Sequence, residues 1–178
     1  MDLRGRTDER SVLTAPLYRS SRVYPFQARG VALGYLRREN LVVWSTGIGK
    51  SHFAMALAAL LAEDGLIDHV IVVCESNKLD EWVGDFRVYT AFRTIEKYMG
   101  SNRSRLLVDL PDVLVTTYET SRNDAASKIK GRPRALQPGP LTLALQDKKV
   151  LVIYDEASRL KNRDSGIYKH HEYWLTHT

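Results

Sequence analysis

Three segments follow in close succession and leave few folds open: the apolar run Leu41-Val42-Val43-Trp44, the turn Thr46-Gly47-Ile48-Gly49-Lys50-Ser51, and the helix-like stretch Ser51 to Ala62. A short strand, a glycine turn ending in Gly-Lys-Ser and a helix make a phosphate cradle. Backbone N–H groups and the positive end of the helix hold the anion. At this spacing the Lys50 ammonium reaches the outer phosphates and the Ser51 hydroxyl can ligate magnesium, with Thr46, Gly47, Ile48 and Gly49 shaping the turn. The expected ligand is a nucleoside triphosphate.

The rest of the chain alternates strand and helix. Phe53, Leu57, Leu60 and Leu61 share one face of the helix after the turn, alanines fill the remainder, and Gly65 ends it. Strands are expected at Val70 to Cys74, Arg93 to Tyr98, Val113 to Tyr118 and Val150 to Tyr154, with helices at Asn77 to Phe86 and Ser104 to Leu110. Continuous apolar strands separated by helices indicate an α/β fold, a parallel sheet with helices on both faces. Five to seven strands are expected. Residues 1 to about 20 read as a polar arm and 21–178 as one domain. Lys128 to Pro140, reading KIKGRPRALQPGP, is expected to be an exposed basic loop. Lys128, Lys130, Arg132 and Arg134 there could track a nucleic-acid backbone or simply be a solvated surface.

Composition excludes several classes. The 178 residues carry 26 Lys plus Arg against 21 Asp plus Glu, a formal charge of +5 that leans towards an anionic partner. The one cysteine, Cys74, lies in an apolar strand, so a disulfide framework is excluded. His170, His171 and His177 lack partners at zinc-ligand spacing. The charged N-terminus is not a signal peptide, and no stretch approaches membrane-spanning length. A soluble, cytoplasmic protein is expected.

The strand Val150 to Tyr154 ends in Asp155-Glu156. In parallel sheets the carboxyl ends of the strands share an edge with the phosphate loop, so a strand-end acid can reach a magnesium–phosphate site. Asp155 is the expected magnesium residue, acting through water, and Glu156 the base that orients and deprotonates an attacking water. Magnesium keeps several waters, so Ser51 and Asp155 suffice. Helix capping by the acid pair is the plain alternative.

Further segments carry a family resemblance. Tyr24-Pro25-Phe26-Gln27 with Gly30 resembles a Pro-Tyr-Gln element that precedes the phosphate loop. Val72-Val73-Cys74 through Trp82 resembles V-V-C-P-x-x-L-x-x-Q-W, Val115 to Glu119 resembles T-S-Y-E, and Asp155 to Asn162 resembles D-E-A-H-R-L-K-N. Together they resemble the first RecA-like domain of superfamily-two helicases, most closely the Swi/Snf-type double-stranded DNA translocases. The resemblance implies ATP and Mg2+ as ligands, Glu156 and Lys50 as catalytic residues, Gln27 reading the adenine edge with Phe26 beside it, and double-stranded DNA as partner. By position, Asn77, Lys78, Thr116 and Thr117 become candidate DNA-phosphate contacts, or equally plain helix-start and strand-end polar residues.

The chain departs from the pattern at four places. Trp44 replaces the first glycine of the phosphate loop, Ser158 the family histidine, Glu75 the proline and Glu81 the glutamine. The family motor needs a second RecA-like domain, whose arginines are typically worth ~10³–10⁵ in rate. No such domain is legible here, so either another chain supplies it or the reading frame is truncated or frameshifted. Short split frames of this kind suit phage or mobile-element genomes. The rivals are a non-catalytic nucleotide- or DNA-binding module and a kinase-type phosphotransferase; Gln27 and the Asp155-Glu156 pair argue against the latter.

Overall fold

A computed structural model describes residues 17–19, 24–37, 40, 42–43 and 47–177, the side chains of 132–134 excepted. The chain forms two compact units, one from the described residues up to Ile67 with Gly84–Phe92, the other from Asp68–Val83 with the described residues from Arg93 on.

The second unit holds the sheet. Strands β1 (His69–Cys74), β2 (Ile95–Lys97), β3 (Val113–Thr117) and β6 (Val150–Tyr154) run parallel in the order β2-β3-β1-β6. Side chains alternate between faces along a strand. In β1 Ile71 and Val73 face one way, Val70, Val72 and Cys74 the other, and all five are buried. Both faces are therefore covered, which is why the sequence shows unbroken apolar runs instead of alternation. Ile71, Val73 and Leu114 join Tyr98, Leu106, Leu141, Leu145 and Trp174 in one core. That cluster draws in α4 (Arg103–Val108), α5 (Tyr118–Ala125), α6 (Pro140–Leu145) and α7 (Gly166–His177). The register pairs Cys74 with Thr117 and Val73 with Tyr154, so the three strands end at one edge and deliver Glu75, Tyr118 and Asp155 there.

The basic segment is not the expected loop. Ala126–Ile129 (β4) and Arg132–Pro138 (β5) pair antiparallel, with a register shift between Lys128 and Ile129. Lys130-Gly131 turns the hairpin, and Gly131 has φ 79°, a conformation glycine enters without a Cβ penalty. Two strands alone tolerate the prolines, because an edge position has ladder groups to spare.

In the first unit α1 (Pro25–Tyr35) packs on α2 (Lys50–Glu63). The helices approach closely at Gly34, where a Cβ would lie 3.1 Å from Phe53 Cζ and 3.2 Å from Leu57 Cδ2. The Tyr35 hydroxyl donates to Asp64 Oδ2 at 2.6 Å. Gly65, at φ 65°, closes α2 as expected: its N–H donates to the Ala62 carbonyl and the Leu66 N–H to that of Leu61. Helix α3 (Leu79–Tyr89) gives Gly84–Tyr89 to this unit. Tyr18, inside the stretch expected as an arm, is buried and bridges to Thr90.

Two further expectations need correction. Four parallel strands are present among the described residues, against the five to seven expected. Val42 and Val43, from the expected strand Leu41 to Trp44, are in no strand, and Val43 is 81% exposed. Apolar propensity makes a strand only where a neighbouring backbone closes the ladder, and these two residues have no such neighbour among the described residues. The rest of that run, Leu41 and Trp44, lies outside the described residues.

Candidate functional site

The phosphate loop is built by its glycines. Gly47 and Gly49 have φ 82° and 83°, left-handed values that side chains rarely accept. Gly49 is the N-cap of α2, so Lys50 and Ser51 open a 14-residue helix whose first N–H groups have no intrahelical carbonyl. Nothing lies within 4 Å of a Cβ built at Gly47, whereas one at Gly49 would strike the Gln27 amide. An open turn into a helix N-terminus fits a phosphate chain. Lys50 is exposed and Ser51 partly buried. Thr46 lies outside the described residues.

Gln27 is tied to this loop. It is buried, its Nε2 donates to the Ile48 carbonyl at 2.8 Å, and its Oε1 accepts the Tyr24 N–H at 2.9 Å. Phe26 is 44% exposed and stacks on Tyr24, ring centres 5.8 Å apart. A pocket of about 260 Å³ opens here, lined by Tyr24, Gln27, the three loop residues Gly47 to Gly49, His52 and Tyr89. The His52 ring lies 2.8 Å from the Tyr18 hydroxyl through Nδ1 and meets the Tyr89 ring at 4.5 Å. Tyr89 was not legible as a pocket residue, since no local pattern brings it to the loop, whereas His52 follows the loop directly on α2.

In the second unit Asp155 is held at three points. Its N–H donates to the Val73 carbonyl at 2.9 Å, extending the β6 ladder. Its carbonyl accepts the Tyr118 hydroxyl at 2.8 Å, and its Oδ2 accepts the Trp82 Nε1–H at 2.9 Å. Glu156 follows with φ 54° and ψ 52°. A left-handed non-glycine residue costs about 1–2 kcal/mol, and such residues persist where the surroundings over-determine them. Here the turn Ala157–Leu160 returns the Arg159 N–H to the Glu156 carbonyl at 3.2 Å. The Arg159 guanidinium donates twice to Glu75 Oε1, at 2.7 and 3.0 Å. Glu75, the residue in place of the family proline, thus ties the end of β1 to the turn after Glu156. Ser158 makes a 3.4 Å contact from Oγ to the Glu156 carbonyl.

Below this edge lies a buried polar group. His171 sits between the Tyr154 hydroxyl, 2.9 Å from Nδ1, and Ser121 Oγ, 3.3 Å from Nε2. Ser121 directs its proton to the Thr117 and Tyr118 carbonyls, so it accepts from His171 and the neutral ring carries its proton on Nε2. Burial holds the imidazole down to about 4. Burial first, then the neighbouring Asp155 charge, pushes the Cys74 thiol up to about 12.

The candidate DNA contacts separate. Asn77 is exposed, and Lys78 pairs with Glu81 at 2.6 Å. Thr116 is 1% exposed and its hydroxyl donates to the Tyr98 carbonyl inside the sheet. Thr117 is nearly as buried and caps α5 by accepting the Thr120 N–H. The fold occupies both threonine side chains. Among the described residues no three His, Cys, Asp or Glu are grouped to hold a metal, and no helix is long and apolar enough to cross a membrane.

Known proteins are similar to this chain. Switch 2 of Arabidopsis thaliana is 28% identical over 177 residues, spanning 89% of this chain and 19% of that protein. The ATP-dependent helicase fft1 of Schizosaccharomyces pombe is 29% identical over 130 residues, 70% of this chain and 12% of that one. The chain therefore spans about a fifth or less of these relatives' lengths. The Sulfolobus solfataricus SWI2/SNF2 ATPase core, solved in complex with double-stranded DNA, has the same fold with a TM-score of 0.71 at 18% identity, over 89% of this chain and 31% of that one. The family described as type III restriction enzyme, res subunit, matches residues 22–174. With that match running through nearly all of it, the chain belongs to this family and is a RecA-like α/β domain similar to the first domain of Swi/Snf-type ATPases.

Proposed function

We propose that this chain is the ATP-binding part of an ATP-dependent DNA translocase, completed by a second RecA-like domain. The observation that carries the reading is the loop Gly47 to Ser51: two left-handed glycines lead into a helix N-terminus, with Gln27 fastened to the same loop. Lys50 neutralises the outer phosphates, and Ser51 and Asp155 hold Mg2+, Asp155 through water. The ion, when bound, draws charge from the transferred phosphoryl group. Glu156 orients the attacking water and takes its proton.

Gln27 has the capacity to read adenine while holding the loop. A primary amide has two N–H groups and an oxygen with two lone pairs. Ile48 uses one donor and Tyr24 one lone pair, which leaves one of each. That remaining pair matches the N6–H donor and N7 acceptor of adenine. The exposed rings of Phe26 and Tyr24 lie beside it as an apolar wall.

The relatives named as helicases and the DNA-bound structural neighbour support duplex DNA as the track. Asn77 and Lys78 are the assigned phosphate contacts, with Lys128 and Lys130 of the hairpin as additional positive charge. Thr116 and Thr117 are not assigned, because their hydroxyls are engaged within the fold.

The test is nucleotide binding and ATP turnover, with and without double-stranded DNA, for the chain alone and with the second RecA-like domain added. Lys50→Ala should abolish binding. Glu156→Gln should keep binding and lose turnover. Turnover that appears only in the mixture and disappears in Glu156→Gln supports the reading. Binding without turnover in any mixture would establish a non-catalytic module instead.

A further inference from the structure

Asp155 has its backbone fixed at both ends, by the Val73 carbonyl and the Tyr118 hydroxyl, yet a carboxylate still rotates about two side-chain torsions. One contact removes that freedom: the Trp82 indole N–H on Oδ2 at 2.9 Å. Trp82 lies on α3 and is 4% exposed. Cys74 and Tyr118 are buried beside the strand end, and the charges of Glu75, Lys78, Glu81, Glu156 and Arg159 lie around it.

The choice of donor matters. An indole nitrogen donates and never accepts, and it bears no charge. A lysine or arginine at the same place would neutralise the carboxylate and compete with a cation for it. The indole orients the carboxylate and leaves its negative charge whole. This is the part that an outer-sphere hydrogen bond plays for a metal ligand, and losing such a partner typically lowers metal affinity ~10–100-fold.

We propose that Trp82 is the positioning residue for the Asp155 carboxylate, aiming it for the Mg2+ that accompanies the nucleotide; this rests on the function proposed above. Trp82 does not touch substrate. Its loss should therefore appear as a weaker magnesium effect with the nucleotide contacts intact.

The experiment compares fluorescent-ADP binding in Mg2+ and in EDTA, for the parent chain and Trp82→Phe, which keeps an aromatic ring and removes the N–H. The parent should bind more tightly with Mg2+. Trp82→Phe should lose about ten-fold of that gain or more while its affinity in EDTA stays the same. The second measurement needs no Trp82 variant. Among the indole N–H resonances of the three tryptophans, one should move in Asp155→Ala and on adding Mg2+ with ADP, and stay put on adding ADP in EDTA. The full magnesium gain in Trp82→Phe, or no indole resonance that responds to Asp155→Ala, overturns the assignment of Trp82 alone. A parent chain with no magnesium gain overturns the proposed function, and this inference with it.

Discussion

Acidification forces a proton onto a ring that the second unit keeps neutral. His171 is 1% exposed and both its nitrogens are taken, Nδ1 by the Tyr154 hydroxyl and Nε2 by Ser121. Its rings of contact are Tyr118, Tyr154 and Trp174, so a charge there is buried among aromatic side chains. Burial is the leading cause of the shift, a hydrogen bond to the Tyr118 backbone opposes it, and the His170 and Arg122 charges add to it. The folded group titrates at about 4 where the unfolded one titrates at 6.5. The unfolded chain therefore binds more protons between those values, and stability rises with pH through that window. It is fully present above 6.5 and lost as the pH falls towards about 4. At ~1.4 kcal/mol per unit the loss is about 3 kcal/mol. The control is His171→Leu, which deletes the titration and strands two hydroxyl partners, costing ~1–3 kcal/mol at neutral pH. Urea unfolding of both proteins across the pH range isolates the effect, because the remaining carboxylates act on both alike. The parent should lose its advantage over the variant on acidification and fall to or below it. A stability difference that does not change with pH, or a ring that titrates near its ordinary value by NMR, would refute the reasoning.

Gly49→Ala and Gly47→Ala should differ although both sit at left-handed φ. Each costs about 1–2 kcal/mol for the backbone, but only the methyl added by Gly49→Ala also strikes Gln27 and breaks its bond to Ile48, ~1 kcal/mol more. Thermal scans should show the larger fall for Gly49→Ala; equal shifts would contradict the contact. Cys74, with its thiol raised to about 12, should resist a thiol reagent in the folded protein at mildly alkaline pH and react at the rate of unfolding. Rapid labelling of the native chain would place the sulfur elsewhere. Trp174→Ala should destabilise the second unit by ~3–5 kcal/mol in chemical unfolding, because a fully buried indole leaves a cavity at the centre of the core.

The residue pattern alone determined the α/β class, the strands at Val70, Val113 and Val150, and the glycine turn before α2. These are legible because sheet burial on both faces and left-handed glycines each leave a local mark on the chain. It also carried Asp155 and Glu156 to a strand end, since the residue after an apolar run must leave the sheet. The hairpin of Ala126 to Pro138 was misread as a loop, because its basic and proline-rich composition outweighs a pairing that depends on two segments meeting. What the tertiary structure decided is who holds whom. The indole of Trp82 on Asp155, Arg159 on Glu75, Thr116 turned into the sheet, and Tyr89 beside the phosphate loop all join residues far apart in the chain. The strand register and helix packing fix those pairs, and no periodicity along one segment records them.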